Sequence, residues 1–463
     1  MAISADQSIL SLLKVYYKDG GVENLIFRND PVLKALSKEK IEGKTYNFSA
    51  MYGRGGAVSA NYTIAKKVAA NNTKAAEFAV EPGQLFSVCS FNQKEVLASK
   101  TRAGAFMKVA GAKFFAATEA FRKQMAAALY GRGYGELCYS NYSTAITEDK
   151  AFDLVLPSHA VMAIDIDSQL VLKATVESSV VKAHLTVTNI DDAKGVVTVV
   201  SDTAVAAPLA TDVICFDGSM DANGKPLLPV GLGAWLPTVG KRTGAGWTNY
   251  IKERFCGVDR SAAPSRLAGA FVDGTGDAKK IDTIIKLLKQ ARRQGSAANM
   301  IVMNDNDWAA VAKEIEATNT YMSITNNGDG KKKKDASIGY SEFTASFSTN
   351  FFDSVIDTPY CPEGVFYVLD KDAVEVAAYT NPSKLEDGVP GNEPGKADPM
   401  TEDGADVENR PYQLIAEDYL SIQPGQDTID GPSSVVSLSF FGAITVTNPS
   451  VCGVGIFAGA NVL

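Results

Sequence analysis

The sequence predicts an α+β protein of several units arranged about one long helix, and three observations carry that prediction. A polar, glycine-studded run from residue 44 to 94 leads directly into an alanine-rich helical stretch that stops at Gly131-Arg132-Gly133. Between residues 150 and 228 the pattern turns to alternation of apolar and polar residues, as in Val180-Val181-Lys182-Ala183-His184-Leu185-Thr186-Val187-Thr188 and Gly195-Val196-Val197-Thr198-Val199-Val200, the mark of half-buried strands. Beyond residue 265 helical and strand signals follow one another. A length of 463 residues accommodates two to four units, and a hydrophobic fraction of 46% supplies their cores.

In chain order, residues 1–43 read as an arm with short helical pieces at Ser8 to Tyr17 and Pro31 to Ser37. The run 44–94 has strand-like patches but only scattered large apolar residues. Folded once as a hairpin, its arms of about 22 residues would reach on the order of 70 Å at about 3.3 Å per residue. So long and polar a hairpin needs a neighbour to lie on. Its candidate contacts with another subunit are Tyr52, Arg54, Tyr62, Ile64, Phe78, Leu85 and Phe86.

The helix that follows, from Glu95 to Tyr130, places Phe106, Val109, Ala110, Phe114, Ala117, Phe121, Met125 and Leu129 on one stripe. Phe106, Phe114, Phe121 and Met125 are its candidate core. Such a helix spans about 50 Å at about 1.5 Å per residue, a length suited to a structural spine, and the glycines at 131 and 133 end it.

Residues 150–228 read as a small all-β insert with a turn at Ile190 to Lys194, and Gly231-Leu232-Gly233-Ala234-Trp235-Leu236-Pro237 returns the chain to a mixed region. An amphipathic helix fits Asp277 to Arg293, with Ile281, Ile284, Ile285, Leu287 and Leu288 gathered on one side. Asn299 to Met303 reads as a buried strand, Asn304 or Asp305 as an N-cap, and Trp308 to Ala317 as a helix. Strand signals return at Ser354 to Asp357 and Gly364 to Leu369. Residues 381–410, with four prolines and an acidic excess, read as a long exposed loop. Gln413 to Ile422 and Val435 to Val446 are extended strands.

Signs of chemistry are sparse. The formal charge of −8 argues against an extended nucleic-acid-binding face, because neutralising phosphates needs clustered Lys and Arg. The first residues lack the basic region of a signal peptide, and no apolar run is long enough to cross a membrane as a helix. Six dispersed cysteines without a CxxC pair give neither a zinc site nor a disulfide framework, and suggest a reducing cytoplasm.

His159, opening an apolar strand, and His184, on the outward phase of another, are read as structural. They support no nucleophilic triad. Gly131-Arg132-Gly133-Tyr134-Gly135 follows a helix where a phosphate loop would precede one, so it is a helix stop. Asn304-Asp305-Asn306-Asp307 lacks the glycine and distant glutamate of a calcium loop and reads as a helix cap. Lys331-Lys332-Lys333-Lys334 is either a solvated turn or a contact for phosphate or an acidic partner. No cofactor, no metal and no catalytic residue is expected.

The ordered segments together resemble a tailed-bacteriophage major capsid protein of the Hong Kong 97 type. They are the arm, the extended loop, the helix ending Leu129-Tyr130-Gly131-Arg132-Gly133, the β insert and the linker 231–237. Phe255 to Ser261, Arg266 to Gly269, Ile301 to Asn304 with Trp308, Asp357 to Pro362, Tyr367 to Asp370 and Phe440 to Pro449 continue the order.

The resemblance implies an extended loop at 44–94 and a spine helix opening a peripheral domain at 95–149. It further implies the insert at 150–228, a peripheral linker at 229–264, an axial domain at 265–380, the exposed acidic loop at 381–411 and peripheral return strands at 412–463. Implied too are hexamers and pentamers of an icosahedral head assembled in a bacterial cytoplasm, with portal and other head proteins as partners. Packaged double-stranded DNA would be touched weakly and without sequence preference. The short arm implies a separate scaffolding protein. The alternatives are an encapsulin-like compartment shell, which shares the fold but is generally shorter and lacks the insert, and a hydrolase or surface binding protein, which does not share it.

Overall fold

The computed structural model describes residues 31–41, 43–53, 58–69, 74–92, 117–206, 208–238, 250–296, 300–318, 354–379, 420–427 and 433–458. The expected helix at Ser8 to Tyr17, the first two-thirds of the spine helix with Phe106 and Phe114, the residue Arg54, the Lys331–Lys334 run and the acidic loop lie outside them. The chain opens with a short helix, Pro31–Ala35, and β1 (Ser37–Ile41). The hairpin β2 (Tyr46–Gly53) and β3 (Lys74–Val80) follows, with a tip helix, Tyr62–Ala69, between its strands. The paired strands of the hairpin, eight and seven residues, are about a third as long as the arms expected from the sequence, because a helix lies between them and β4 pairs with β17 instead.

β4 (Gly83–Asn92) leads to the described part of the spine helix, 117–128. Phe121, Met125 and Leu129, four residues apart, are buried as the stripe predicts. The helix ends in an unusual cap. Leu232 and Gly231 donate their amides to the carbonyls of Leu129 (2.7 Å) and Gly131 (3.1 Å), which satisfies acceptors that a helix end leaves open. Only glycine fits there: a Cβ on Gly231 would stand 2.2 Å from the Ala128 carbonyl oxygen, and one on Gly233 2.3 Å from that of Tyr130. The neck helix Leu232–Trp235 then carries Trp235, with zero exposure, to donate its Nε1–H to the Ile444 carbonyl at 2.7 Å.

The insert is a six-stranded antiparallel sheet in the order β5-β10-β7-β8-β9-β6. Its strands are β5 (Glu136–Tyr139), β6 (Ala151–Val155), β7 (Gln169–Lys173), β8 (Val181–Asp191), β9 (Val196–Ser201) and β10 (Val213–Phe216). It has its own core, which includes Leu154, Leu172, Leu185, Val197 and Ile214. It starts at residue 136, not 150, since β5 is too short for alternation to reveal it. His159 lies in a helix, Ser158–Ala163, where a strand was expected; Pro157 opens it with a φ of −66°. The ends of the insert meet at a narrow neck, where Leu228 donates to the Gly133 carbonyl at 3.2 Å.

A third unit holds β11 (Ala270–Asp273), β12 (Met300–Met303), β13 (Ser354–Asp357) and β14 (Val365–Leu369), with helices Lys280–Arg293 and Asp305–Thr318. Ile284, Leu287, Leu288 and Ala291 bury the inner face of the first helix, close to the predicted stripe. The chain then forms β15 (Val374–Tyr379), β16 (Leu420–Asp427), β17 (Ser433–Val446) and β18 (Gly453–Ile456).

Two of these strands cross the domain boundaries that the sequence suggested. β15 pairs with β17 and β1 in the first sheet, of order β1-β15-β17-β16 with β4 also on β17. β18 inserts between β11 and β14 in the third unit. A Cβ on Gly455 would meet the Phe366 ring at 2.3 Å, so the bare glycine leaves room for that ring to stack on Phe457, at 4.6 Å between centroids.

Candidate assembly surface

The hairpin has a base and a tip with opposite character. At the base Phe48 opposes Phe78 across the strands. Their rings stack at 5.4 Å, and Trp235 closes on both, at 5.8 Å and 5.2 Å. Phe78 has zero exposure and Leu85 3%. Both were expected to touch another subunit; Phe78 instead holds the hairpin to its own core, and Leu85, on β4, is buried opposite Phe440. For Phe78 the reason is Trp235, a partner remote in sequence that makes a scattered aromatic into a buried one. Tyr52 is half-buried against the same core, its carbonyl accepting from Arg266.

At the tip the large apolar side chains among the described residues stand open. Val58 is fully exposed, Tyr62 is 80% exposed and Ile64 54%. The Asn61 side chain caps the tip helix by accepting from the Thr63 amide at 2.9 Å. Lys66 and Lys67 fill the last turn, and the helix has no carboxylate. Eight residues are too few for a helix to hold by propensity alone, and this one carries Tyr62 and Ile64 outward.

A second apolar surface lies on the outer face of the first sheet. Strand alternation turns Leu85 inward against Phe440 and Phe86 outward. Ser87, on the inner face, donates to the Ala117 carbonyl of the spine helix at 3.0 Å. Phe86 and Val88 stay at least half exposed, and Phe441 meets Phe86 edge-on at 5.5 Å. Of the seven contact candidates, the structure thus leaves Tyr62, Ile64 and Phe86 on the surface. Phe121 and Met125 are buried in the main core as expected.

The polar clusters serve structure. Asn304 accepts from the Asn306 amide at 3.0 Å and donates to the Cys361 carbonyl at 2.8 Å, the predicted helix cap. Asp307 pairs with Lys280 at 2.6 Å and accepts from the Gly364 amide at 2.7 Å. Arg260, 1% exposed, donates to the carbonyls of Ala234 and Trp235 and lies 4.3 Å over the Phe255 ring; burial lowers its pKa. A cleft of about 710 Å³ beside it is lined by four cations and four carboxylates, so it offers no net charge to a ligand. His184 is exposed, 3.2 Å from Asp217. Among the described residues no group of His, Cys, Asp and Glu is placed to hold a metal ion.

No protein-family model matches the sequence, and no curated protein matches it. The structure does have likenesses. The capsid asymmetric unit of cyanophage A-1(L) aligns over 94% of this chain and 93% of that one, with a TM-score of 0.51 and 14% identity. The fold is that of a tailed-phage capsid protein. The capsid of an empty GTA particle aligns over 92% and 95% of the two chains at TM-score 0.37 and 10% identity. A virus-like particle protein from Pyrococcus furiosus aligns over 96% and 95% at TM-score 0.33 and 7% identity. Only the first likeness is strong enough to define the capsid fold. Within that capsid fold, the tip and the outer sheet face are apolar surfaces that the subunit's own packing leaves open.

Proposed function

We propose that this chain is the major capsid protein of a phage head, a shell subunit that assembles as hexamers and pentamers around double-stranded DNA. The observation that carries the reading is the uncovered tip. Val58, Tyr62 and Ile64 stand in solvent on and beside an eight-residue helix, and covering each large apolar side chain returns about 1.5–3 kcal/mol. The outer face with Phe86, Val88 and Phe441 of a neighbouring copy is the proposed seat. Repeated at every subunit, this contact supplies the large interface a shell requires.

In this reading the first sheet and the spine helix form the peripheral domain, and the third unit forms the axial domain at capsomer centres. The partners are further copies of the chain, a separate scaffolding protein, the portal and other head proteins. DNA inside makes weak, non-specific contact, and the protein resides in the virion capsid.

Negative-stain imaging of the purified chain, alone and co-expressed with the neighbouring head proteins, tests the reading. Rings or closed shells in either preparation support it. A monomer in both, even at high concentration, would sink it. Nuclease-protected DNA inside the shells distinguishes a phage head from a compartment shell, which would hold protein.

A further inference from the structure

Among the described residues the insert meets the third unit in a compact polar contact. Ser158, the first residue of the insert's helix, donates from its amide at 3.2 Å and its hydroxyl at 2.5 Å to Oε1 of Glu363, just before β14. Asn306 Nδ2 donates to the same oxygen at 3.2 Å. In return the Glu363 amide donates to Nδ1 of His159 at 3.4 Å, and Nε2 of His159 faces the Leu137 carbonyl at 3.2 Å. A carbonyl can only accept and an amide N–H can only donate. Both contacts are therefore made by one form of the ring, neutral with its proton on Nε2. A proton on Nδ1 sets N–H against N–H.

We propose that this contact is a proton-operated latch: acidification protonates His159, breaks its bond to the Glu363 amide and frees the insert from the third unit while the insert's own sheet stays folded. The neck at Gly133 and Leu228 would then be the hinge.

The groups around the ring fix the direction. Glu363 faces it, and the shared cavity of about 490 Å³ also holds Asp307, Lys280, Arg132 and Glu136. Asp307 is paired with Lys280 at 2.6 Å and Glu136 with Arg132 at 3.5 Å, which leaves the Glu363 carboxylate to attract a proton to the ring. The Cys138 thiol and the phenols of Tyr130, Tyr360 and Tyr367, which line the same cavity, are neutral near pH 7. Burial opposes the carboxylate and is the larger effect, so His159 is held below its ordinary value of 6.5, with the Leu137 carbonyl and Glu363 pulling upward.

A detached His159 takes its proton near 6.5 and a latched one only at lower pH. The latch is thus at full strength above about 6.5 and weakens as pH falls below it. For Glu363 burial raises the pKa, but hydrogen bonds from Ser158 and Asn306 outweigh it and hold the carboxyl below its ordinary 4.5. Its contribution lasts until pH drops under that value, so His159 is the trigger.

Histidine-ring NMR and amide hydrogen exchange on the full chain test the latch. With two histidines in the chain, His159→Gln assigns both ring signals. Protection of the amides from Ser158 to Val161, corrected for intrinsic exchange, should fall severalfold between pH 7 and pH 5. One proton sets the ceiling at about tenfold per pH unit. The fall should vanish in His159→Gln and persist in Glu363→Gln from a weaker start, while β8 and β9 stay protected. Unchanged protection in the natural chain, or the same fall in His159→Gln, would overturn the proposal. If His159→Gln does not fold, the natural chain decides alone: the midpoint of exchange must coincide with that of the His159 ring, and separate midpoints would overturn it.

Discussion

Phe78 and Tyr62 belong to one hairpin and should answer to substitution in opposite ways. Phe78→Ala removes a ring packed against Phe48 and Trp235 and should cost the subunit about 3–5 kcal/mol, as should Phe121→Ala. Tyr62→Ala should change stability by less than about 0.5 kcal/mol yet impair assembly. Lys123→Ala breaks an exposed contact with Asp165 at 3.4 Å, worth about 0–1 kcal/mol. Denaturant melts of the four variants check the order; equal losses would contradict it. The thiols give a second residue-scale expectation. Burial pushes Cys138, Cys215, Cys256 and Cys452 up to about 12 and Cys361 higher still, so thiolate is scarce at pH 8. A thiol reagent should modify these five slowly in the native chain and quickly once it is denatured.

Among the elements, the hairpin tip and the insert should be separable from the rest. Replacing residues 54–70 by a short Gly/Ser turn spares Phe48, Phe78 and β4, so the melting temperature should hold while particle formation fails. A wider deletion of 50–90 takes Phe78, Leu85 and β4 with it and should unfold the subunit. The insert enters and leaves at Gly133 and Leu228 and has a core of its own. Joining the chain across that neck should leave the remaining subunit folded, and the excised residues 136–228 should fold alone. Circular dichroism and a cooperative melt of each piece check this; a molten insert would show that its fold depends on the third unit.

Across the molecule, charge is as unevenly divided as apolar surface. Residues 136–228 carry thirteen carboxylates against five lysines, a balance equal to the −8 of the whole chain. The rest of the subunit is therefore neutral. Removing the insert should shift isoelectric focusing strongly toward higher pH and lower solubility near pH 7, since little net charge remains to keep subunits apart. An unchanged solubility would mean that the distribution of charge matters more than its sum.

Much of this was legible in the order of residues. The stripe of Phe121, Met125 and Leu129, the alternation in β8 and β9, the helix Lys280–Arg293 and the cap at Asn304 rest on neighbours within a few positions, and local periodicity encodes them directly. Alternation also separates Phe86 from Leu85. What local pattern cannot hold is the identity of a distant partner. Tertiary structure alone decided that Trp235 would bury Phe78, that β18 would join the third unit and β15 the first, and that Glu363 would reach Ser158 and His159. In each case the deciding contact joins segments that share no period, and burial is a property of the pair that meets.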